Sequence, residues 1–188
     1  KVEEVKTGFT FTEGPAWRQQ GSLLFTDIPN AKIHSFSEKN NAIGTFTGDS
    51  GHANGILVDA SNRILVCQMD GRVVQYDAKT AKYKILADTY GGNRFNAPND
   101  LIVDKVGGIY FTDPLFRAPQ PLPQGIQAVY YINPDGNVSR LTGDIAAPNG
   151  IGLSPDGKRL YVVPSRQADM LVYDVTGPGK IANGRTLC

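Results

Sequence analysis

Short apolar, β-branched and aromatic runs alternate along the chain with clusters of Gly, Asn, Asp and Pro. The runs fall at residues 23–26, 33–36 and 43–46, then 64–67, 72–76 and 83–86, then 109–112, 128–132 and 138–141, and finally 160–163 and 170–173. Gly107-Gly108, Asn133-Pro134-Asp135-Gly136 and Pro155-Asp156-Gly157 stand between successive runs as turns. Runs of this length, bounded by turn residues, predict strands and hairpins. Residues 2–11 read as a further strand ahead of the first run, and residues 184–188 as the start of an outer strand.

A phrase recurs ahead of each group. Thr12-Glu13-Gly14-Pro15-Ala16-Trp17, Ala53-Asn54-Gly55-Ile56-Leu57-Val58, Asn96-Ala97-Pro98-Asn99-Asp100-Leu101 and Ala147-Pro148-Asn149-Gly150-Ile151 each set one oxygen-bearing side chain before an apolar stretch. The intervals from 13 to 54, 54 to 99 and 99 to 149 are 41, 45 and 50 residues. Four strands at a period of roughly 40–50 residues describe the blade of a β-propeller. The repeats, at about 13–48, 54–90, 99–145 and 149–188, run through nearly the whole chain and predict a single all-β domain over 1–188. The first strand of a propeller blade lines the central channel. Glu13, Asn54, Asn99 and Asn149 are therefore expected to form one ring.

Composition narrows the class. Hydrophobic residues are 40% and charged residues 20% of the 188, which fits a globular chain. The net charge of +1, with no basic run, argues against nucleic-acid binding. No apolar stretch approaches the ~20 residues of a membrane span. Cys67 reads as a small core residue and Cys188 ends the chain. Two cysteines give neither metal spacing nor a disulfide framework, so the compartment stays open.

The candidate chemistry lies around the ring. One carboxylate and several carboxamides form an all-oxygen set suited to a hard cation such as calcium, whereas zinc sites usually recruit His or Cys. The alternative is that these Asn residues only build turns. Arg94, in a Gly-rich segment, is a candidate to hold a polar substrate or else a solvated loop arginine. The Pro-rich interruption at 114–125 reads as a lid, with Phe116 or Leu122 facing substrate, or as a subunit contact. His52 beside Asn54 is a candidate base or ligand without an evident partner, and His34 reads as structural. Trp17 is expected to pack between blades, and Asp27 and Asp113 to cap turns.

The phrases Glu13-Gly14-Pro15-Ala16-Trp17, Arg94-Phe95-Asn96-Ala97-Pro98-Asn99-Asp100, Ile109-Tyr110-Phe111-Thr112-Asp113-Pro114 and Pro148-Asn149-Gly150-Ile151, in this order, resemble the gluconolactonase / senescence marker protein 30 family. The resemblance implies a six-bladed propeller with a divalent cation in its channel, calcium foremost, with magnesium, manganese or zinc as alternatives. It implies hydrolysis of sugar lactones, or of phosphotriesters and other esters on the same site. Glu13 and Asn149 match metal ligands, Asn99 a contact to metal or substrate, and Asn54 a phrase of less defined role. The family's aspartate base or nucleophile belongs to a fifth repeat and would lie beyond Cys188. The catalytic base is thus unassigned, and the four repeats are expected to need a further polypeptide segment to close the ring, with a four-bladed ring of altered site as the alternative. A propeller that binds a protein or ligand without catalysis is the competing reading.

Overall fold

The structure, a computed structural model, describes residues 2–188. They form four sheets of four antiparallel strands, each a simple meander in chain order. The first blade is β1 (Thr12–Arg18), β2 (Ser22–Asp27), β3 (Lys32–Ser37) and β4 (Ala42–Thr47). The second is β5 (Ala53–Val58), β6 (Ile64–Gln68), β7 (Arg72–Tyr76) and β8 (Tyr83–Ala87). A small ribbon, β9 (Thr89–Tyr90) with β10 (Asn93–Arg94), precedes the third blade, β11 (Leu101–Val103), β12 (Ile109–Asp113), β13 (Ala128–Ile132) and β14 (Val138–Thr142). The fourth is β15 (Pro148–Leu153), β16 (Arg159–Pro164), β17 (Leu171–Gly177) and β18 (Lys180–Thr186). These are about four blades of a β-propeller. The last hairpin turns at Gly179, whose φ of +63° favours glycine, so β18 begins earlier than its apolar pattern predicts.

The blades pack face to face. Alternate residues of β6 serve opposite neighbours: Ile64 and Val66 join Ala16, Leu24 and Ile33 of blade 1, while Leu65 and Cys67 join Leu101 and Phe111 of blade 3 and Phe95 just before it. A strand buried on both faces reads as a continuous apolar run, which is why β6 was so plain in the sequence. Cys67 is a free, fully buried thiol in that layer, and burial raises its pKa well above the usual range. Tyr110, Val129 and Tyr131 meet Leu160, Val162 and Tyr173 between blades 3 and 4.

Two expectations fail at the start of the chain. Residues 2–11 form no strand: the N–H groups of Thr10 and Phe11 go to the Asp27 carboxylate, at 3.1–3.2 Å, rather than to a ladder. Trp17 is not packed between blades but is 51% exposed. Its neighbour Ala16 faces blade 2, and strand alternation turns Trp17 the other way. Phe25, Phe36 and Ile43 line a cleft of about 660 Å³ on blade 1 that no other described blade covers.

Candidate active site

The four anchors converge on one cavity. Glu13 on β1, Asn54 on β5, Asn99 just before β11 and Asn149 on β15 all line a space of about 410 Å³. The cleft on blade 1 is larger, but its lining comes only from blade 1 and the segment before it and is mostly apolar, with Glu4, Lys6, Thr12 and Glu13 as its polar residues, whereas the ring gathers side chains from four blades and is the better site.

Backbone stitches between blades fix the ring. The Gly55 N–H donates to the Asn99 carbonyl at 2.7 Å, and the Thr112 hydroxyl to the Asn149 carbonyl at 2.7 Å. The Asp100 carboxylate accepts from its own blade at Leu101 N, 2.9 Å, and from the next at Ile151 N, 3.1 Å. A Cβ on Gly55 would lie 2.7 Å from the Asn99 carbonyl, and one on Gly14 2.2 Å from the Asn54 carbonyl. The anchor's following residue is glycine there because the next blade's carbonyl occupies the Cβ position.

The side chains are oriented in turn. The Asn149 amide donates to the Ser165 hydroxyl at 2.7 Å and the Asn54 amide points at the Met69 sulfur at 3.7 Å, so neither carboxamide oxygen is engaged by these contacts. Asn99 is buried, and its side chain has no hydrogen bond among the described residues. Glu13 is exposed, and one of its oxygens accepts weakly from Gly14 N at 3.3 Å. Burial raises the pKa of Asp100, and the nearby negative charge of Glu13 adds to that rise. Among the described residues no three His, Cys, Asp or Glu side chains cluster, so any cation here relies on amide oxygens beside a single carboxylate.

A pair of carboxylates braces the loops that lead into the ring. Asp27 holds Thr10 and Phe11, and Asp113 holds Asn96 and Ala97 through N–H donors at 2.8 and 2.7 Å. Each brace holds the residues three and two positions before an anchor, at Glu13 and Asn99. Burial pushes the Asp113 carboxyl up to about 7, outweighing the two N–H donors and the Arg94 charge that pull it down. The folded chain thus binds this proton more readily than the unfolded one. Its contribution to stability is complete below the ordinary value of 3.8 and is lost as pH rises through about 7. Urea unfolding should show stability falling across that window by at most about 1.4 kcal/mol per pH unit. Asp113→Asn should flatten the slope; an unchanged slope in the variant would assign the effect elsewhere.

The segment 114–125 contributes two residues to the cavity wall. Phe116 packs against Ile28, Met69 and Ala97, and lines the cavity with Arg117. Gln124 straps the segment down, its amide donating to the Tyr90, Asn93 and Arg94 carbonyls at 2.8–3.0 Å and its N–H to Asn96 Oδ1 at 3.1 Å. Leu122 is not among the lining residues.

Arg94 does not line the cavity: its guanidinium donates to the carbonyls of Phe95 and Asn96 at 3.0 and 3.2 Å. His52 also lies outside the lining and pairs with Asp70 at 2.9 Å. Its φ of +51° matches the φ of +53° at Ala147, which likewise stands two residues before its anchor. Sequence reasoning missed Ile28, Met69, Arg117 and Ser165. The repeat carried a signal for three of them. Ile28 and Met69 stand 15 residues after their anchors and Ser165 stands 16 after Asn149, all just past the second strand of a blade.

Residues 11–188 match the SMP-30/Gluconolactonase/LRE-like region. The chain belongs to this family. A gluconolactonase of Zymomonas mobilis is 30% identical over 207 residues, covering 99% of this chain and 58% of that protein. A lactonase of Staphylococcus epidermidis, drp35, is 29% identical, covering 80% of this chain and 46% of its own length. Among solved structures, a gluconolactonase of Xanthomonas campestris superposes with a TM-score of 0.88 at 28% identity, covering 97% of this chain and 64% of that one. This family member therefore spans less than two thirds of the length of these relatives. None of its helical segments is long and apolar enough to cross a membrane, among the described residues.

Proposed function

We propose that the chain supplies the metal-holding and substrate-facing wall of a lactone hydrolase. One observation carries this reading: Glu13, Asn54, Asn99 and Asn149, from four separate blades, face a single cavity. Membership of the family and the naming of its relatives as lactonases support the choice of reaction. The four blades are read as one stretch of a longer propeller whose further segment completes the channel and provides the catalytic base.

The donor set fits a hard divalent cation. Among the described residues it offers one carboxylate and neutral carboxamide oxygens, with no thiolate or imidazole in the lining. Glu13, Asn99 and Asn149 would hold the ion. Calcium suits this set best; magnesium and manganese also take oxygen ligands, and zinc suits it least. When bound, such a cation polarises a lactone carbonyl and acidifies a water.

The remaining roles belong to the chain itself. Ser165 turns the Asn149 amide so that its oxygen stays available. Asn99 is held by backbone bonds on both sides and keeps a free carboxamide for the ion or a substrate hydroxyl. Asn54 presents a second carboxamide to the substrate. Phe116 covers the cavity and limits access of bulk water to the ring. Arg94 has no part here, because its guanidinium is spent on its own loop.

The test uses the intact protein with glucono-δ-lactone, followed by acid release at constant pH. Chelation is expected to remove at least nine tenths of turnover above the spontaneous rate, and calcium to restore it. Turnover indifferent to exhaustive chelation would overturn the role of the cation, and no turnover of any lactone would overturn the reaction.

A further inference from the structure

We infer that Arg117 selects substrates bearing an anionic group, a carboxylate or a phosphate ester, carried away from the lactone ring. The inference rests on the reading of the cavity as a lactone site and extends it to the class of lactone.

Among the described residues the cavity wall holds a single basic side chain, Arg117, and a single acidic one, Glu13, the latter assigned above to the cation. Other arginines near carboxylates or carbonyls are engaged. Arg63 pairs with Asp59, Arg185 with Asp174, and Arg94 with two backbone carbonyls. The Arg117 guanidinium has neither a hydrogen bond nor an ion pair among the described residues. Arg117 is exposed and borders a space lined also by the Glu13 carboxylate, neutral carboxamides, a hydroxyl and apolar groups.

The backbone carries a second, independent sign. Arg117 has a φ of +58°, the left-handed region where glycine is the usual residue and an arginine is strained. Strain of this kind persists where the surroundings enforce it, and it collects at ligand contacts. The surroundings here do enforce it. Phe116 is packed under the lid, Ala118 N closes a turn on the Leu115 carbonyl at 3.0 Å, and Leu115 N donates to Gln127 Oε1 at 3.0 Å. A guanidinium on this braced segment, bordering the same cavity as the ring, is placed to fork onto the oxygens of a carboxylate or phosphate.

Calorimetry on the intact protein tests this with three lactams, which keep the ring but resist hydrolysis: a neutral polyhydroxy lactam, its carboxylate-bearing analogue and its phosphate-bearing analogue. At least one anionic lactam is expected to bind roughly tenfold more tightly than the neutral one, and which of the two does so identifies the group. The preference should shrink with added salt, as a charge contact would and a steric one would not. Arg117→Asn, which tolerates the left-handed backbone, should bring the three affinities together, and Arg117→Lys should keep part of the preference. Equal affinities in the unaltered protein, or a preference that survives Arg117→Asn, would overturn the assignment while leaving the lactone reading intact. Binding of none of the three would count against both.

Discussion

Glu13→Gln is expected to reduce cation affinity by at least about 100-fold and, at micromolar calcium, to lower kcat/KM by about 1,000-fold. The reasoning starts from charge. Among the described residues Glu13 is the only carboxylate that lines the cavity, and the other candidate ligands are neutral amides. Affinity of oxygen sites for calcium is set largely by how many charged ligands they present. Loss of a residue that merely supports a ligand costs 10–100-fold, so loss of the one charged ligand should cost more. Glutamine keeps the size and one oxygen, and Glu13 is exposed, so folding should be untouched. Asp100 supplies a further sign of the same field, since the charge of Glu13 adds to the rise in its pKa. The variant should recover part of its activity when calcium is raised to millimolar levels, because a weakened site can still be filled by mass action. Calcium titration of both proteins, read by binding and by turnover, checks this. A variant with unaltered calcium affinity would remove Glu13 from the metal site.

The ring and the blades were legible in the sequence for a physical reason. Inner strands buried on both faces must be apolar along their length, as at β6, and the turns between them need residues such as Gly, Asn and Asp. The anchors were legible because each blade opens with the same phrase at its seam with the next. What escaped the sequence depends on direction. Arg94 and Arg117 look alike as loop arginines beside the channel, yet one folds back onto its own carbonyls and the other faces the cavity. Trp17 reads as a core residue, but it faces away from the only blade that packs on β1 among the described residues. Asp27 and Asp113 were separable from the ring only as turn caps, and the structure shows them holding the loops that aim Glu13 and Asn99. Spacing places a residue on a blade; it does not say which way a loop side chain turns.

Gly14→Ala is expected to destabilise the fold by about 2–5 kcal/mol, the largest stability effect of any single methyl added beside the anchors. Two costs coincide. Gly14 has a φ of +53°, where an L side chain costs about 1–2 kcal/mol. An added Cβ would also stand 2.2 Å from the Asn54 carbonyl and 2.9 Å from the Ile56 amide nitrogen. Both are backbone atoms of the next blade and cannot swing aside as a side chain would, so overpacking adds about 1–3 kcal/mol or more. Gly55→Ala, 2.7 Å from the Asn99 carbonyl, shares the second cost but carries no positive φ, and should fall below Gly14→Ala. The third anchor explains why this step is not glycine everywhere. There Asp100 takes the position, and its carboxylate reaches the backbone N–H of Ile151 across the gap. Gly152→Ala in β15 is the control, since an added methyl there meets nothing within 4 Å. Urea midpoints for the three variants should fall in the order Gly14→Ala lowest, Gly55→Ala next, and Gly152→Ala near the parent. If Gly14→Ala unfolds with the control, the glycine is not what lets the blades close on one another. The ring geometry that brings Glu13 beside Asn54 would then need another cause.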